Sequence, residues 1–334
     1  MRIKPWVRDL AVYEPGRPLE EVAREYGFPD AAGLIKLASN ENALGPSRKA
    51  IRALRQAVGQ MHRYPDGGAY YLRQALARRF GLSAAHIAVG HGSNELIALI
   101  AHAFLEPGTS IVMADRAFSV YRLVARLYQA EVIEVPMRDF VHDLVAMLAA
   151  IRPETRLIFV ANPNNPTGTT VPPGALDRFI ERLPDHVCAV VDEAYVELLP
   201  PRRQPNSVQY VRSGRNVFVL RTFSKTYGLA GLRIGYALAP KEGIAAIHRV
   251  RQPFNVNAMA LAAALAALDD EAHVRRTRRM VARGLRQLEA GFDALGLRWT
   301  PSEVNFVLVE VGAGRDLCEA LERRGVIVRP MDAY

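Results

Sequence analysis

Short apolar runs alternate along this chain with longer segments in which apolar residues recur every three or four positions. The short runs are rich in β-branched and aromatic residues, as in Val217–Leu220, and this composition is typical of buried strands. Longer segments such as Ser119–Gln129 have the spacing of helices that bury one face. Strands that alternate with such helices predict an α/β domain whose mostly parallel sheet is covered on both faces.

The alternation fills the middle of the chain and is flanked by segments of a different character. A proline-rich arm and two helices precede it, and a long helical region, Lys241–Leu295, follows it. A strand, a helix and a strand then indicate a smaller α+β domain. We therefore expect an arm at 1–40, a large domain at 41–245 and a small domain at 246–334. The strands predicted for the large domain are Ile87–Val89, Ser110–Met113, Glu131–Val135, Leu157–Val160, Cys188–Val191, Val217–Leu220 and Arg233–Leu238.

Composition gives no sign of a membrane or secreted protein. Half of the 334 residues are hydrophobic and 23% are charged, as is usual for a globular protein. The longest apolar runs, Leu96–Leu105 and Ala258–Leu268, are too short to cross a bilayer, and the N-terminus lacks the apolar core of a signal peptide. Because the lone cysteines Cys188 and Cys318 lie far apart, we expect free thiols and a cytoplasmic location.

The net charge of +9 raises the question of an anionic partner. The densest basic stretch is His273–Arg286, in which Val274, Val281 and Leu285 mark one helical face and arginines fill the others. This pattern predicts a solvated amphipathic helix, and the lack of interleaved aromatic residues argues against a nucleic-acid site. Since no Cys/His cluster has the spacing of metal ligands, we also expect no metal site.

The strongest chemical signal lies in the residues that follow the strand Val217–Leu220. Lys225 comes just past this strand, where partial desolvation disfavours the ammonium form and favours a nucleophilic amine. Thr222 and Ser224 place hydroxyl groups beside it, and Arg233 adds a fixed positive charge. An amine beside a small anion site suits pyridoxal 5′-phosphate (PLP) held as a lysine Schiff base. The alternative, a surface lysine in a polar turn, is disfavoured by this spacing.

Two further motifs follow predicted strands, at the ends where open α/β sheets bind ligands. In VGHGSNEL a glycine turn opens a helix, and free N–H groups at Ser93 and Asn94 would favour a phosphate. An ordinary turn in which Ser93 caps the helix explains that motif equally well. In NPNNPTG two prolines stiffen a turn and fix Asn165 as an amide donor beside a ligand, although plain Pro/Asn turns are common.

A third motif, VVDEAY, places Asp192 at the end of a wholly apolar strand. A carboxylate there is costly to bury unless it is paired, and the pyridinium N–H of PLP would be such a partner. Tyr195, three residues on, can reach the phenolic oxygen of the same ring. Phe118 also follows a strand and offers a face for stacking. The alternatives are an aspartate that caps the next helix and a phenylalanine of the core.

Taken together, NPNNPTG, VVDEAY and TFSKTYGLAGLRIGY resemble the motifs of fold-type I PLP-dependent enzymes. With LASNENALGP, HRYPDGG, GHGSNE, VYEPG and GVIVRP, the chain is similar to the histidinol-phosphate aminotransferases over nearly its whole length. The resemblance implies the fold-type I transferase fold, with a mostly parallel central sheet flanked by helices and a smaller α+β domain. It also implies amino-group transfer between L-histidinol phosphate and 2-oxoglutarate, a step of histidine biosynthesis.

The resemblance assigns a role to each candidate residue around the cofactor ring. Lys225 would form the Schiff base and then move the α-proton of the substrate. Asp192 would pair with the ring nitrogen. Asn165 and Tyr195 would hold the ring oxygen, and Phe118 would stack on the ring.

The resemblance also implies a phosphate site, a substrate site and a dimer. The phosphate would be held by the backbones of Ser93 and Asn94 and the side chains of Thr222, Ser224 and Arg233. Tyr64 would reach the phosphate bound in the neighbouring subunit, which implies a homodimer with shared active sites. The residues expected to face the substrate are Tyr13, Asn40 and Arg329.

The resemblance is incomplete at one point, and other functions stay open. The family pattern continues past Arg329 with a strand that carries a second substrate-binding arginine, whereas this sequence stops five residues later. We therefore expect weak binding of phosphorylated substrates by this chain. An aminotransferase for aromatic amino acids and a decarboxylase of a phosphorylated amino acid share the same motifs. A PLP-binding regulatory domain would need a DNA-binding module, for which the N-terminal arm leaves no room.

Overall fold

The structure is a computed structural model that describes residues 1–10, 12 and 16–332. Seven of its strands form a central sheet, and four more form two small sheets within the described part of the chain. The strands are β1 (Ile35–Lys36), β2 (Ile87–Gly90), β3 (Ser110–Ala114), β4 (Glu131–Val135), β5 (Thr155–Ala161), β6 (Cys188–Asp192), β7 (Val217–Thr222), β8 (Gly235–Leu238), β9 (Trp299–Thr300), β10 (Leu308–Val309) and β11 (Val326–Ile327).

Helices connect the strands and cover the sheet. Short 3₁₀ turns lie at Ala84–His86, Val196–Leu198, Pro201–Arg203 and Ala230–Leu232. The α-helices are α1 (Pro5–Arg8), α2 (Leu19–Tyr26), α3 (Arg48–Val58), α4 (Tyr70–Phe80), α5 (Gly92–Phe104), α6 (Val120–Leu127), α7 (Leu144–Ala149), α8 (Ala175–Glu181), α9 (Val208–Arg212), α10 (Lys241–Val250), α11 (Ala258–Leu268), α12 (Glu271–Ala294) and α13 (Gly314–Glu322).

The central sheet has the strand order β2-β8-β7-β6-β5-β3-β4. Strand β8 runs antiparallel to both of its neighbours, and the other pairs are parallel. The prediction of an α/β fold with a mostly parallel sheet is therefore confirmed. Helices cross between the parallel strands because a parallel pair cannot be joined by a tight hairpin.

Two apolar cores lie on opposite faces of this sheet, which explains why its strands are apolar at nearly every position. Neighbouring strand residues point to opposite faces, so Val219 belongs to one core and Leu220 to the other. The first core also contains residues of α4, α8 and α11, and the second contains residues of α5, α6 and α10. This packing fixes the strand ends that carry the candidate chemistry.

The two small sheets join distant parts of the chain. Strand β1 of the N-terminal arm pairs in parallel with β11 near the C-terminal end, and β9 pairs antiparallel with β10. The division of the chain at residues 40 and 245 stays a prediction. Among the described residues, no helix combines the length and the apolar character needed to cross a membrane.

The helical region expected at Lys241–Leu295 consists of the three helices α10, α11 and α12. Side chains cap the second and third of them: Asn257 accepts from the N–H of Ala260, and Asp270 accepts from the N–H of His273. These polar residues satisfy N–H groups that a helix leaves unpaired at its start. The break between α10 and α11 (residues 251–257) brings loop residues close to the candidate site.

The strand expected at Arg233–Leu238 begins later than predicted. Arg233 has a left-handed backbone conformation, with φ of +54°, and the strand starts at Gly235. In contrast, β7 extends two residues further than the apolar run and includes Thr222. Arg233 therefore turns out of the sheet before the strand begins, and this turn directs its side chain towards α5.

Candidate active site

The carboxyl ends of three neighbouring strands bring the predicted motifs together. Strand β6 lies between β5 and β7, and Asp192 pairs in register with Ala161 on one side and with Leu220 on the other. The NPNNPTG loop leaves the end of β5, and Lys225 follows the end of β7. Residues that are tens of positions apart in sequence thus meet at one edge of the sheet, as the parallel topology requires.

Lys225 lies at the centre of this edge and is half-buried. Its Nζ donates a hydrogen bond to the backbone carbonyl of Ser39 at 3.0 Å. The same atom lies 5.5 Å from the centroid of the Tyr195 ring. The lysine is therefore held by the N-terminal arm and by the residues after β6, rather than extending into solvent from a polar turn.

Asp192 is only 5% exposed and is held by two hydrogen bonds. Its Oδ2 accepts from the hydroxyl of Tyr121 at 2.8 Å, and its Oδ1 accepts from the N–H of Ala194 at 3.1 Å. Burial raises the pKa of the Asp192 carboxyl to about 6, while the bond from Tyr121 and the charge of Lys225 lower it. The carboxylate is thus costly to keep charged, and a cationic partner would stabilise it.

Tyr121 is a site residue that the sequence analysis missed. It is fully buried in α6, where its ring stacks on Phe159 with centroids 4.5 Å apart. Phe118 meets the Tyr121 ring edge-on at 5.7 Å. The periodicity of α6 predicts that Tyr121 is buried, but its bond to a residue 71 positions away leaves no local signal. Phe118 therefore lies beside the tyrosine that binds Asp192.

The predicted phosphate-binding side chains are adjacent to one another. Thr222 Oγ1 donates to Ser224 Oγ at 2.9 Å, and Arg233 Nη1 donates to the same Ser224 oxygen at 3.3 Å. Arg233 Nη2 makes no hydrogen bond within the described residues and lies against Gly92. A Cβ atom at Gly92 would stand 2.6 Å from this nitrogen, and the φ of +78° also favours glycine. The guanidinium can therefore approach the first turn of α5 only because residue 92 is glycine.

The N–H groups of Ser93 and Asn94 belong to that first turn. The residue that precedes α5 is His91, whose own side chain makes no capping hydrogen bond. Ser93 thus lies inside the helix, and the interpretation of it as an ordinary cap is wrong. Gly235 brings β8 against the same turn, where a Cβ would stand 2.6 Å from the backbone nitrogen of Ser93. Free N–H groups, the start of the helix dipole and Arg233 lie together at this turn, an arrangement that suits a small dianion.

The NPNNPTG loop is held by Asn164 rather than by the residue that was expected to face the ligand. Asn164 is fully buried, and its Nδ2 donates to the carbonyl of Arg116 at 3.0 Å and to Thr167 Oγ1 at 2.9 Å. Its backbone N–H also donates to the carbonyl of Thr169 at 2.8 Å. The neighbouring Asn165 is half-buried, and its amide makes no hydrogen bond within the described part of the chain. That amide is therefore available to a ligand.

Tyr195 and Asn40 meet on the other side of Lys225. Asn40 Nδ2 donates to the Tyr195 hydroxyl at 3.2 Å, although the two residues are 155 positions apart. The Asn40 carbonyl accepts from Asn305 Nδ2 at 3.0 Å, and the Tyr195 ring packs edge-on against Phe306. The arm that contains Asn40 and the C-terminal part of the chain thus both contact the candidate site.

The remaining predicted site residues are Arg329, Tyr64 and Tyr13. Arg329 is exposed and lies two residues past β11, whose parallel partner β1 leads to Ser39 and Asn40. Tyr64 is 83% exposed in the loop between α3 and α4, and its ring stacks on Phe254 with centroids 4.8 Å apart. Tyr13 lies outside the described residues.

A buried ion pair supports the strand ends from the opposite face of the sheet. Arg221 Nε donates to Glu193 Oε2 at 2.8 Å, and Arg221 Nη2 forms an ion pair with the same oxygen at 2.8 Å. These two residues are the immediate neighbours of Thr222 and Asp192, so their pairing fixes β6 against β7 at the site. Burial raises the pKa of the nearby Glu197 to about 7, and the positive charge of Arg221 opposes this shift.

Two surface cavities elsewhere do not coincide with this chemistry. They have volumes of about 290 and 470 Å³ and lie near Pro184, at the amino ends of β5, β6 and β7. Parallel sheets bind ligands at the opposite edge, where Lys225 and Asp192 lie. Within the described residues, no cluster of three or more histidine, cysteine, aspartate or glutamate side chains could hold a metal ion.

The fold and this arrangement of side chains define an aminotransferase of class I and II, and a model of that family matches residues 32–334. Histidinol-phosphate aminotransferases from Moorella thermoacetica and Akkermansia muciniphila are 48% and 47% identical to the chain. The alignments cover 98% of the chain and 85% and 90% of those proteins. The chain belongs to the histidinol-phosphate aminotransferase family.

Solved structures agree with this assignment. A histidinol-phosphate aminotransferase from Sinorhizobium meliloti, crystallised with pyridoxal-5′-phosphate, has a TM-score of 0.90 and 31% identity over 98% of this chain and 89% of that one. An aspartate aminotransferase from Thermus thermophilus, with maleate, has a TM-score of 0.84 and 25% identity over 99% and 92%. The prediction of the fold-type I family is therefore confirmed.

Proposed function

We propose that the protein transfers an amino group between L-histidinol phosphate and 2-oxoglutarate, with PLP bound to Lys225 as a Schiff base. The observation that carries this proposal is the meeting of Lys225, Asp192 and Arg233 at one sheet edge. An amine, a buried carboxylate and an anion site there match the aldehyde, the ring nitrogen and the phosphate of PLP. The names of the relatives support histidinol phosphate as the amino donor.

The residues present fit the cofactor. The phosphate would lie at the first turn of α5, where Arg233 Nη2 approaches Gly92, with Thr222 and Ser224 beside it. Arg233 and the free N–H groups of Ser93 and Asn94 would then share its charge. The Ser224 oxygen accepts from both Thr222 and Arg233, so the Ser224 hydroxyl can donate to a phosphate oxygen while those bonds persist.

The ring would lie between this phosphate site and Lys225. Asp192 would accept from the ring nitrogen and keep it protonated, and Tyr121 holds the carboxylate in place. Asn165 and Tyr195 would donate to the phenolic oxygen, and Phe118 would pack on the ring. When bound, PLP supplies an electron sink that makes the α-proton of the amino donor acidic.

Lys225 would carry that proton. Its Nζ lies close to Tyr195 and to the Ser39 carbonyl, so the amine is held near the reacting carbon by contacts on two sides. A proton shuttle at this place needs an amine that can accept and return the proton, and Lys225 is half-buried there. Asp192 and Lys225 thus have complementary tasks, since one keeps the ring charged and the other moves the proton.

The substrate would enter beside the arm. Asn40 contacts Tyr195, and Arg329 follows the strand that pairs with β1, so both belong to the part of the chain that meets the site through the arm. An arginine can bind a phosphate with two parallel charge-assisted hydrogen bonds, which suits Arg329 to the phosphate of histidinol phosphate. Tyr13 is proposed as a further contact on the strength of the family resemblance alone.

We propose that two such chains form a homodimer in the cytoplasm. Exposed apolar side chains are concentrated around the loop that carries Tyr64, which supports a subunit interface there. Tyr64 would then reach the cofactor phosphate of the neighbouring subunit. Two buried, free thiols support a reducing location. The exposed side chains around the loop are those of Val58, Met61, Tyr64, Tyr70, Tyr71 and Phe254.

A half-reaction assay tests the substrate. The PLP-loaded protein would be mixed with histidinol phosphate, phenylalanine or threonine phosphate in the absence of an oxo acid, and the cofactor absorbance would be followed in a single turnover. We expect conversion of the cofactor to its amine form with histidinol phosphate alone. Faster conversion with phenylalanine would favour an aromatic aminotransferase, loss of CO₂ from threonine phosphate would favour a decarboxylase, and no conversion with any of them would favour a regulatory domain.

A further inference from the structure

A chain of hydrogen bonds joins the loop between α3 and α4 to the turn that opens α5. It starts at Gly67, whose carbonyl accepts from Arg251 Nη2 at 2.7 Å. Arg251 Nη1 donates to Asn255 Oδ1 at 3.0 Å, and Asn255 Nδ2 donates to Glu95 Oε2 at 2.7 Å. Glu95 Oε2 also accepts from the backbone N–H of His91 at 2.6 Å. The middle members of the chain come from the segment that separates α10 from α11.

One end of this chain of hydrogen bonds sets the geometry of the proposed phosphate site. The bond from the His91 N–H to Glu95 fixes the peptide that precedes Gly92, and the free N–H groups of Ser93 and Asn94 follow directly. Hydrogen bonds to a phosphate are directional, so a rotation of this turn would weaken several of them together. Asn255 holds the carboxylate of Glu95 from the other side and thereby keeps it in position.

The other end holds the loop that carries Tyr64. Phe254, next to Asn255, stacks on the Tyr64 ring at an interplanar angle of 25°. The Phe254 ring also lies so close to Gly67 that a Cβ there would stand 3.1 Å from it. Arg251 is fixed in addition by His248, whose Nδ1 accepts from Arg251 Nε at 3.0 Å. The segment 251–255 therefore contacts this loop by ring stacking, by close packing and by a charge-assisted hydrogen bond.

We propose that Asn255 is a positioning residue that links the cofactor-phosphate turn of one subunit to the Tyr64 loop that the same subunit presents to its neighbour. This inference rests on the proposed PLP site and the proposed homodimer. Phosphate binding that orders the α5 turn would also order the loop, and the loop completes the neighbouring site. Coupling between two binding events is reciprocal, so PLP should strengthen the dimer as much as dimerisation strengthens PLP binding.

The first test compares PLP with pyridoxal, which lacks the phosphate. Asn255→Ala should weaken PLP binding to the cofactor-stripped protein about tenfold, since one charge-assisted hydrogen bond in the chain is lost. Its affinity for pyridoxal should stay within twofold of wild type, because the ring and lysine contacts are untouched. An equal loss for both ligands, or no loss for either, would overturn the proposal.

The second test measures the coupling by sedimentation velocity. The ratio of the dimer dissociation constants without and with PLP should fall several-fold in Asn255→Ala. Asn216→Ala is the matched control, because Asn216 Nδ2 donates to the Asp185 carbonyl at 2.8 Å on the opposite edge of the sheet. The control should leave both the ratio and PLP binding unchanged, and an unchanged ratio in Asn255→Ala would overturn the proposal.

A rescue experiment keeps the test decisive if Asn255→Ala folds poorly. Asn255→Asp places a second carboxylate against Glu95 and should weaken PLP binding more than tenfold. In the double variant E95Q/N255D, the amide introduced at position 95 donates to the carboxylate introduced at position 255. The oxygen of that amide still accepts from the His91 N–H. The chain of hydrogen bonds therefore re-forms, with the donor and the acceptor between positions 95 and 255 exchanged. PLP affinity should then return to within threefold of wild type, and a double variant no better than Asn255→Asp would refute the role. A wild type that binds no PLP would instead refute the proposed function together with this inference.

Discussion

Replacement of Asp192 by asparagine should raise the stability of the cofactor-free protein and lower its catalytic activity. Burial raises the pKa of Asp192 from an ordinary 3.8 to about 6, so the folded, cofactor-free protein binds this proton more tightly than the unfolded chain. A shift of about two units corresponds to roughly 3 kcal/mol of lost stability at neutral pH. The carboxylate is thus retained at a cost to the fold, and a charged ring nitrogen would offset that cost.

The sign of the pH dependence follows from the raised pKa. The stability contributed by protonated Asp192 is fully present below about pH 4 and is lost as the pH rises to about 6. Between pH 5 and 7.5 the loss should amount to about 1.4 kcal/mol in the wild type and to nothing in Asp192→Asn. Asparagine offers one acceptor oxygen for the bonds from Tyr121 and Ala194. The stability that the variant gains at pH 7.5 by removing the buried charge is therefore reduced by about 1 kcal/mol.

Urea unfolding of the cofactor-free wild type and of Asp192→Asn at pH 5 and 7.5 measures this difference. The comparison between the two proteins cancels the contributions of other titrating groups such as Glu197, whose pKa is also raised. We expect the variant to be more stable than the wild type at pH 7.5 and to have lost most of its turnover once PLP is added. Equal pH dependence in the two proteins would refute the argument from burial, and turnover within threefold of wild type would refute the pairing with the ring.

Three further predictions address individual residues. Borohydride reduction of the PLP-loaded protein, followed by peptide mapping, should place the pyridoxyl group on Lys225; a label on another lysine would contradict the assignment. Mixing Tyr64→Phe subunits with Lys225→Ala subunits should restore activity, because one intact site forms in each heterodimer, whereas a Tyr64 that acts in its own subunit would give no recovery. Tyr121→Phe keeps the stacking on Phe159 but removes a donor to Asp192, so the pKa of Asp192 should rise further. The loss of PLP affinity on acidification should then begin at higher pH, and an unshifted profile would count against the Tyr121 bond.

Much of the candidate site could be predicted from the sequence because its signals are local. Several apolar strands are followed within a few residues by a candidate site residue, as Lys225 follows Val217–Leu220. Parallel strands place their carboxyl ends along one edge, so the meeting of Asp192 and Lys225 follows from the strand and helix pattern. The family motifs add residue roles because they combine those local signals in one order along the chain.

Contacts between distant segments were decided by the tertiary structure alone. Tyr121 lies 71 residues from Asp192, and its hydroxyl gives no sign in the sequence that it will hold that carboxylate. The chain of hydrogen bonds that joins Gly67 to His91 likewise depends on Asn255, which lies 160 residues from its partner Glu95. The boundary at Arg233 was also missed, since the sequence shows neither its positive φ nor the approach of its guanidinium to Gly92.

The physical reason for this division is the range over which each interaction acts. Backbone propensity and the burial of apolar faces act over neighbouring residues, so the sequence alone determined the alternation of strands and helices and the residue types at the strand ends. A hydrogen bond between buried side chains requires both partners within about 3 Å and in the right direction, and only the packed fold brings Asn40 to Tyr195 or Asn255 to Glu95. The kind of chemistry was therefore determined by the sequence, and the placement of the groups that orient it was decided by the fold.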